Sequence, residues 1–180
     1  MRRPKKDQRT KALTPDQEAM VDRAMGYQPP ALLIERLQRE LAPLGQYGGR
    51  TAMEKIKRRW TGTLRMSEET SLECFEELKR FLITKALHPE LRLAPSGLVD
   101  EAWHMFIIFT EDYFAFCDLV GEYIHHRPLT ERQLEGVTPC HEVSRLVKSV
   151  FPESNSYFWG TNYDRERSFD NQMERSRCCG

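Results

Sequence analysis

The sequence has 180 residues, a length typical of one domain that can bury a packed core. Its 27 Lys and Arg residues balance 27 Asp and Glu residues, so there is no global field of the kind that marks histone-like proteins, and any affinity for nucleic acid must be local. With 39% hydrophobic residues, the chain is too apolar to be disordered throughout and too polar to be a membrane protein.

The first residues of the sequence are strongly basic. Residues 1–12 hold six Lys or Arg and one Asp, with too few apolar groups to build a core. We expect residues 1–13 to form a flexible arm. Because no apolar stretch follows the basic one, we expect neither a secretory signal nor an anchor, and we predict a cytoplasmic protein. The five cysteines are an odd number without a CxxC pair, which predicts thiols or ligands rather than disulfides.

Capping signals and the helical spacing of apolar residues predict a series of helices. The motif Thr14-Pro15-Asp16-Gln17 has the form of a capping box and starts the first helix, and Ser67 is a good N-cap for the longest one. Pro43 and Gly45 are expected to stop the second helix, and Thr110 signals a new start inside the central apolar region. The predicted helices cover about 15–25, 32–42, 51–60, 68–87, 98–109, 113–121, 130–135 and 139–150.

Alternation of apolar and polar residues with period two is nearly absent from the chain. We therefore predict an all-α fold, a single compact multi-helix bundle over residues 14–160, followed by a flexible tail at 161–180. The segment 98–109 is apolar on nearly every face and is expected to be the buried spine of the bundle. The longest apolar run, Met105–Phe109, is far too short to span a bilayer, so we expect no membrane contact.

Residues able to bind a metal ion concentrate between positions 88 and 128. Asp100 and His104 are four residues apart on the central helix, so their side chains share one face. This spacing suits two ligands of one ion, and it equally suits a carboxylate that only orients a histidine in a polar core. Both interpretations stay open on the sequence. Cys117 can join them only if the chain turns at Thr110, because one straight helix would place it about 20 Å from His104.

The paired histidines supply one more candidate ligand. Neighbouring side chains diverge, so only one of His125 and His126 can point into a given site, and we favour His126 because the following Pro128 restricts the backbone. Four other residues receive different interpretations: Trp103 and Tyr113 as core aromatics with satisfied polar tips, His88 as a helix terminator, and His125 as a surface residue. Cys140 and His141 are weaker substitutes as ligands. The predicted metal site is Asp100, His104, Cys117 and His126, with zinc as the expected ion.

This part of the chain resembles a known family. The segments HPELRLAPS (88–96), LVDEAWH (98–104) and YIHH (123–126), with Tyr113 and Cys117 between them, resemble the glycine-rich-domain-containing-protein-like family over about residues 75–128. The resemblance implies a helical domain and supplies no reaction. Members commonly attach a glycine-rich region, which this chain with its 10 glycines does not show.

Two basic clusters are candidate contacts for nucleic acid or for an acidic protein. The arm and the segment 50–65 each hold six basic residues and one acidic residue, and Trp60 in the second could stack on a base. The expected contact residues are Arg2, Arg3, Lys5, Lys6, Lys55, Lys57, Arg58, Arg59 and Trp60. No nucleic-acid-binding motif accompanies them, so a protein partner is favoured.

The sequence favours an interaction or adaptor module with a structural zinc site over an enzyme. Motifs for a serine nucleophile, a zincin protease or a phosphate-binding loop are missing. The alternative is a metal-dependent hydrolase or related enzyme, in which Asp100, His104 and one of the paired histidines are the ligands and an open position holds water. A nucleic-acid-binding protein is the third hypothesis. The number of ligands separates the interaction module from the hydrolase, since a closed four-ligand site indicates a structural role for the metal and an open site indicates a catalytic role.

Overall fold

Six α-helices and one 3-10 helix make up the part of the chain that the computed structural model describes, which is residues 12–46, 66–95, 97–126, 137–138 and 140–159. The helices are α1 (Pro15–Met25), α2 (Ala31–Gln46), α3 (Glu68–Leu87), α4 (Gly97–Ile108), α5 (Thr110–Val120) and α6 (Cys140–Val150), followed by the 3-10 helix Ser156–Trp159. Over these residues the only β-type pairing is an isolated bridge between Leu93 and Thr138. The all-α prediction is confirmed.

The predicted helix starts at Thr14 and Ser67 are confirmed. The Thr14 hydroxyl accepts a hydrogen bond from the Gln17 backbone N–H at 3.3 Å, and the Gln17 side chain accepts one from the Thr14 N–H at 3.0 Å, which completes the capping box. At α3, the Ser67 hydroxyl accepts from the Thr70 N–H at 3.1 Å. These side chains satisfy backbone donors that the first turn of a helix leaves unpaired.

The prediction that Pro43 and Gly45 stop the second helix was wrong, because α2 continues to Gln46. Pro43 lies within the last turn, where its missing N–H removes a single hydrogen bond of the helix. The apolar face of α2 is formed by Leu33, Leu37 and Leu41, all fully buried. α2 packs with this face against α3 and α4.

The core lies where α3 and α4 meet. α4 packs against α2, α3, α5 and the 3-10 helix, which agrees with its expected place as the spine. It is not buried on every side, however, since Ile108 is 57% exposed and His104 is half-buried. An aromatic cluster joins the helices: the ring of Phe106 lies 5.0 Å from Phe75 and 5.8 Å from Phe116 between centroids. Part of the apolar surface of α4 therefore stays exposed to solvent.

The chain breaks between α4 and α5 as the Thr110 signal predicted. α4 ends at Ile108, Phe109 has a non-helical ψ of 69°, and α5 begins at Thr110. The cap differs from the expectation, because Phe109 occupies the N-cap position and no side chain caps the helix. α5 ends at Gly121, whose φ of 92° is in the left-handed region that glycine adopts without steric cost.

Two fully buried charges on α3 attach distant segments to it. The Lys79 ammonium donates to the backbone carbonyls of Met25 at 2.7 Å and Tyr27 at 2.9 Å, at the end of α1. The Glu77 carboxylate accepts from the Ser154 hydroxyl at 2.7 Å and from the Trp159 indole N–H at 2.8 Å. Because a buried charge is costly unless its hydrogen bonds are satisfied, these contacts fix α1 and the 3-10 helix against α3.

Several predictions concern residues outside this description. They are residues 1–11 of the arm predicted at 1–13, the helices at about 51–60 and 130–135, and the tail at 161–180. The boundaries of the arm, domain and tail stay predictions. Cys74 and Cys117 are buried free thiols, in line with the expectation of no disulfide for these two. Within the described residues, no helix combines the length and the apolar character that a membrane crossing needs.

Candidate metal centre

Asp100 and His104 stand one turn apart on α4 and face the same way. The Asp100 Oδ2 atom lies 3.9 Å from the His104 Nδ1 atom. Both side chains are accessible, at 30% and 42% exposure. The helical spacing that the sequence shows thus produces the expected pair, at the surface rather than in a polar core.

His126 reaches the same place from the segment that follows α5. Its Nε2 atom lies 3.4 Å from Asp100 Oδ1, although the two residues are 26 positions apart. The imidazole rings of His126 and His104 have centroids 4.5 Å apart. Each of Asp100, His104 and His126 offers one ligand atom, and these three atoms all lie within 4.8 Å of one another. We refer to these three residues as the triad.

A buried hydrogen-bond chain holds the segment that carries His126. The Trp103 indole N–H donates to the Tyr113 hydroxyl at 3.1 Å, and this hydroxyl donates to the backbone carbonyl of Ile124. The Trp103 ring also packs against the His126 ring in a T-shaped arrangement, with centroids 4.4 Å apart. The prediction that Trp103 and Tyr113 are core aromatics with satisfied polar tips is confirmed. Through Ile124 and Trp103 they also determine where His126 lies.

Cys117 does not belong to the triad, although the chain does turn at Thr110. Its side chain is 2% exposed on the inner face of α5, one turn after Tyr113. Burial raises the pKa of the Cys117 thiol, and this outweighs the lowering by hydrogen bonds with the Ile124 backbone and with Tyr113. The thiol is therefore held protonated while no cation lies beside it, and the group of ligand atoms that converges in the described part of the chain does not include it. A turn between two helices was necessary for the predicted contact, but it did not determine which face of α5 would point to His104.

The other candidate residues lie apart from the triad. His125 is exposed as expected, with its ring 4.7 Å from that of Tyr123. His141 is exposed on α6 beside Glu142, and His88 forms the C-cap of α3 as its expected terminator. Nothing is described for the Cys140 side chain. The predicted contact residues for nucleic acid or an acidic protein all lie outside the described residues; they are Arg2, Arg3, Lys5, Lys6, Lys55, Lys57, Arg58, Arg59 and the aromatic Trp60.

One acidic residue next to the triad was missed on the sequence. The Glu101 Oε2 atom lies 4.0 Å from His104 Nδ1, and Glu101 is 38% exposed. The signal was available, because residues three apart on a helix are neighbours just as residues four apart are. Two carboxylates therefore flank His104, and Glu101 lies outside the triad itself.

The family match covers all three residues of the triad. A family model described as UCP032817-like, an uncharacterised domain, matches residues 49–137 and so includes the triad. No curated protein and no solved structure matches the chain. The expectation of a domain of unknown function is supported, whereas the match does not support the glycine-rich-domain name. Over residues 49–137 the chain is thus similar to the UCP032817-like family.

Proposed function

We propose that the protein is a helical interaction module that binds one zinc ion through Asp100, His104 and His126. The observation that carries this proposal is the convergence of three ligand atoms, within 4.8 Å of one another, from α4 and from the segment after α5. Imidazole and carboxylate are both ligands that zinc accepts. In this proposal the ion ties residues 121–126 to α4.

The distances within the triad support a metal site over a simple hydrogen-bonded pair. A charge-assisted N–H···O hydrogen bond is about 2.7–2.9 Å long. The hydrogen bond between His126 Nε2 and Asp100 Oδ1 is long, at 3.4 Å, and Asp100 Oδ2 lies 3.9 Å from His104 Nδ1, beyond hydrogen-bond distance. Two ligand atoms bound at about 2.1 Å to one tetrahedral zinc ion are about 3.4 Å apart. Small side-chain adjustments would therefore bring all three groups onto one ion.

Metal content tests the proposal directly. We expect untagged protein, purified without chelator, to contain about one zinc per chain. Removal of one triad ligand by His126→Ala should lower the zinc content and weaken zinc binding by at least tenfold, since even partners of ligands matter by 10- to 100-fold. The matched control is His125→Ala, which removes the exposed neighbour of the same residue type and should bind zinc as the wild type does.

Two results would contradict the zinc proposal. If zinc added to metal-free protein is not bound, and its melting temperature stays unchanged, the triad is a polar surface cluster and the proposal fails. The same holds if His125→Ala and His126→Ala lose zinc to the same extent.

The number of ligands favours a metal-dependent hydrolase as a second candidate. The triad, which does not include Cys117, supplies three ligands, and half-exposed His104 leaves the centre open to solvent. Three protein ligands and a free position are typical of catalytic zinc, which lowers the pKa of bound water. In this candidate Glu101, whose Oε2 atom lies 4.0 Å from His104 Nδ1, would accept a proton from that water.

Model substrates separate this candidate from a purely binding centre. Zinc-loaded protein should hydrolyse p-nitrophenyl acetate or bis(p-nitrophenyl) phosphate faster than the same concentration of free zinc, and Glu101→Gln should lower the rate while zinc stays bound. A rate that equals free zinc, or one that Glu101→Gln leaves unchanged, contradicts the hydrolase and leaves the zinc-binding module standing.

A further inference from the structure

Three aromatic rings form a continuous surface beside the end of α5. Phe114 and Tyr123 are 53% and 42% exposed, and their ring centroids lie 5.1 Å apart. The exposed His125 ring continues the row at 4.7 Å from Tyr123. We name Phe114, Tyr123 and His125 the aromatic surface. Exposed aromatic residues are ordinary when single, whereas a contiguous row is typical of a contact site.

Buried contacts hold the Tyr123 ring of the aromatic surface in place. The Tyr123 ring packs edge-on against the buried ring of Tyr113, with centroids 5.7 Å apart. The Tyr113 hydroxyl is itself fixed between the Trp103 indole and the Ile124 carbonyl. Rings held in this way lose little conformational freedom when a partner binds, which lowers the entropic cost of association.

Carboxylates surround these rings. Glu111 and Asp118 lie three residues before and four after Phe114 on the same face of α5, and both are exposed. Exposed Glu122 directly precedes Tyr123. Over residues 93–126 the sequence has six Asp or Glu and no Lys or Arg, so this stretch carries a net negative charge. Negative charge and aromatic faces both attract a cation, and an Arg guanidinium also stacks on rings.

We propose that the aromatic surface, with Asp118 and Glu122, is a docking site for an arginine-rich segment of a partner protein. A guanidinium of that segment stacks on Phe114 and Tyr123 while the carboxylates bind its N–H groups. The choice of an arginine-rich partner follows from charge complementarity and from the flat rings. This site goes beyond the zinc centre and does not depend on it.

A labelled peptide of alternating Arg and Gly residues is the probe, titrated with full-length protein by fluorescence anisotropy. The wild type should bind this peptide and should fail to bind the same peptide with citrulline in place of Arg, which keeps the shape and removes the charge. Phe114→Ala and Phe114→Leu should each weaken binding about two- to fivefold, the worth of an exposed cation–π contact. Asp118→Asn should weaken binding and reduce its salt dependence.

The matched control is Tyr157→Ala, which removes an aromatic ring that is 46% exposed on the 3-10 helix. It should leave peptide affinity unchanged. Phe114 is an exposed residue, so its variants should keep the wild-type melting temperature, and a melting curve checks this. Titrations with EDTA and with zinc should agree, which keeps the result separate from that of the metal proposal.

Three outcomes would overturn the docking site. The first is equal binding of the Arg and citrulline peptides. The second is wild-type affinity in Phe114→Leu, which would mean that only apolar bulk matters. The third is a concentration-dependent dimer that Phe114→Ala abolishes without any effect on peptide binding, which would assign the aromatic surface to a second copy of the chain.

Discussion

Replacement of Tyr113 by Phe tests whether the buried hydrogen-bond chain positions the triad. The Tyr113 side chain is 1% exposed, and its hydroxyl accepts from Trp103 and donates to Ile124. Phenylalanine keeps the ring and its packing, so no cavity forms. The change removes the hydrogen bonds to Trp103 and to Ile124, of about 1 kcal/mol each, and leaves the Trp103 N–H and the Ile124 carbonyl without this partner. We therefore expect a loss of about 2–4 kcal/mol in the free energy of unfolding.

Urea unfolding followed by far-UV circular dichroism measures this loss. For a chain of this size, the melting temperature should fall by about 4–16 °C. Zinc affinity should fall as well, because part of the binding free energy must then order the segment that carries His126. Each 1.4 kcal/mol used in this way lowers the affinity about tenfold. Tyr157→Phe, at an exposed tyrosine, is the control and should change neither quantity.

Two results would refute this reasoning at different steps. A loss below about 0.5 kcal/mol would mean that the hydroxyl contributes no net stability, since typical surface changes have effects of this size. A full loss of stability with unchanged zinc affinity would mean that the Tyr113 contacts stabilise the core but do not position His126.

Three further predictions concern other parts of the chain. Glu77→Ala should lower the free energy of unfolding in urea by about 3–5 kcal/mol, because the Ser154 hydroxyl and the Trp159 N–H lose their buried acceptor. A loss below about 1 kcal/mol would contradict this role of the carboxylate. Burial raises the pKa of the Cys74 and Cys117 thiols. The folded state keeps protons that the unfolded chain releases, so stability should be full below the ordinary thiol pKa of about 8.5 and fall as the pH rises above it, with a limiting slope of about 1.4 kcal/mol per pH unit for buried Cys74, whereas a flat profile to about pH 10.5 would refute this. If the basic clusters at 1–12 and 50–65 contact nucleic acid, binding of single-stranded DNA should fall steeply with added salt, and no binding at low salt would remove that hypothesis.

The local structure of this protein is largely determined by its sequence. Thr14 and Ser67 begin helices because their hydroxyls satisfy backbone donors only a few residues away, and the i, i+4 spacing alone places Asp100 beside His104. The chain break at Thr110 could also be predicted. These features depend on atoms that are close in sequence, so short-range patterns report them.

Which residues complete the site was decided by the tertiary structure. His126 meets Asp100 from 26 positions away because the Tyr113 hydroxyl binds the Ile124 carbonyl and Trp103 supports the imidazole ring. Cys117, predicted as a fourth ligand, turns inward instead. The direction of a side chain after a helix break depends on how two helix faces pack, and packing involves partners that no sequence spacing specifies.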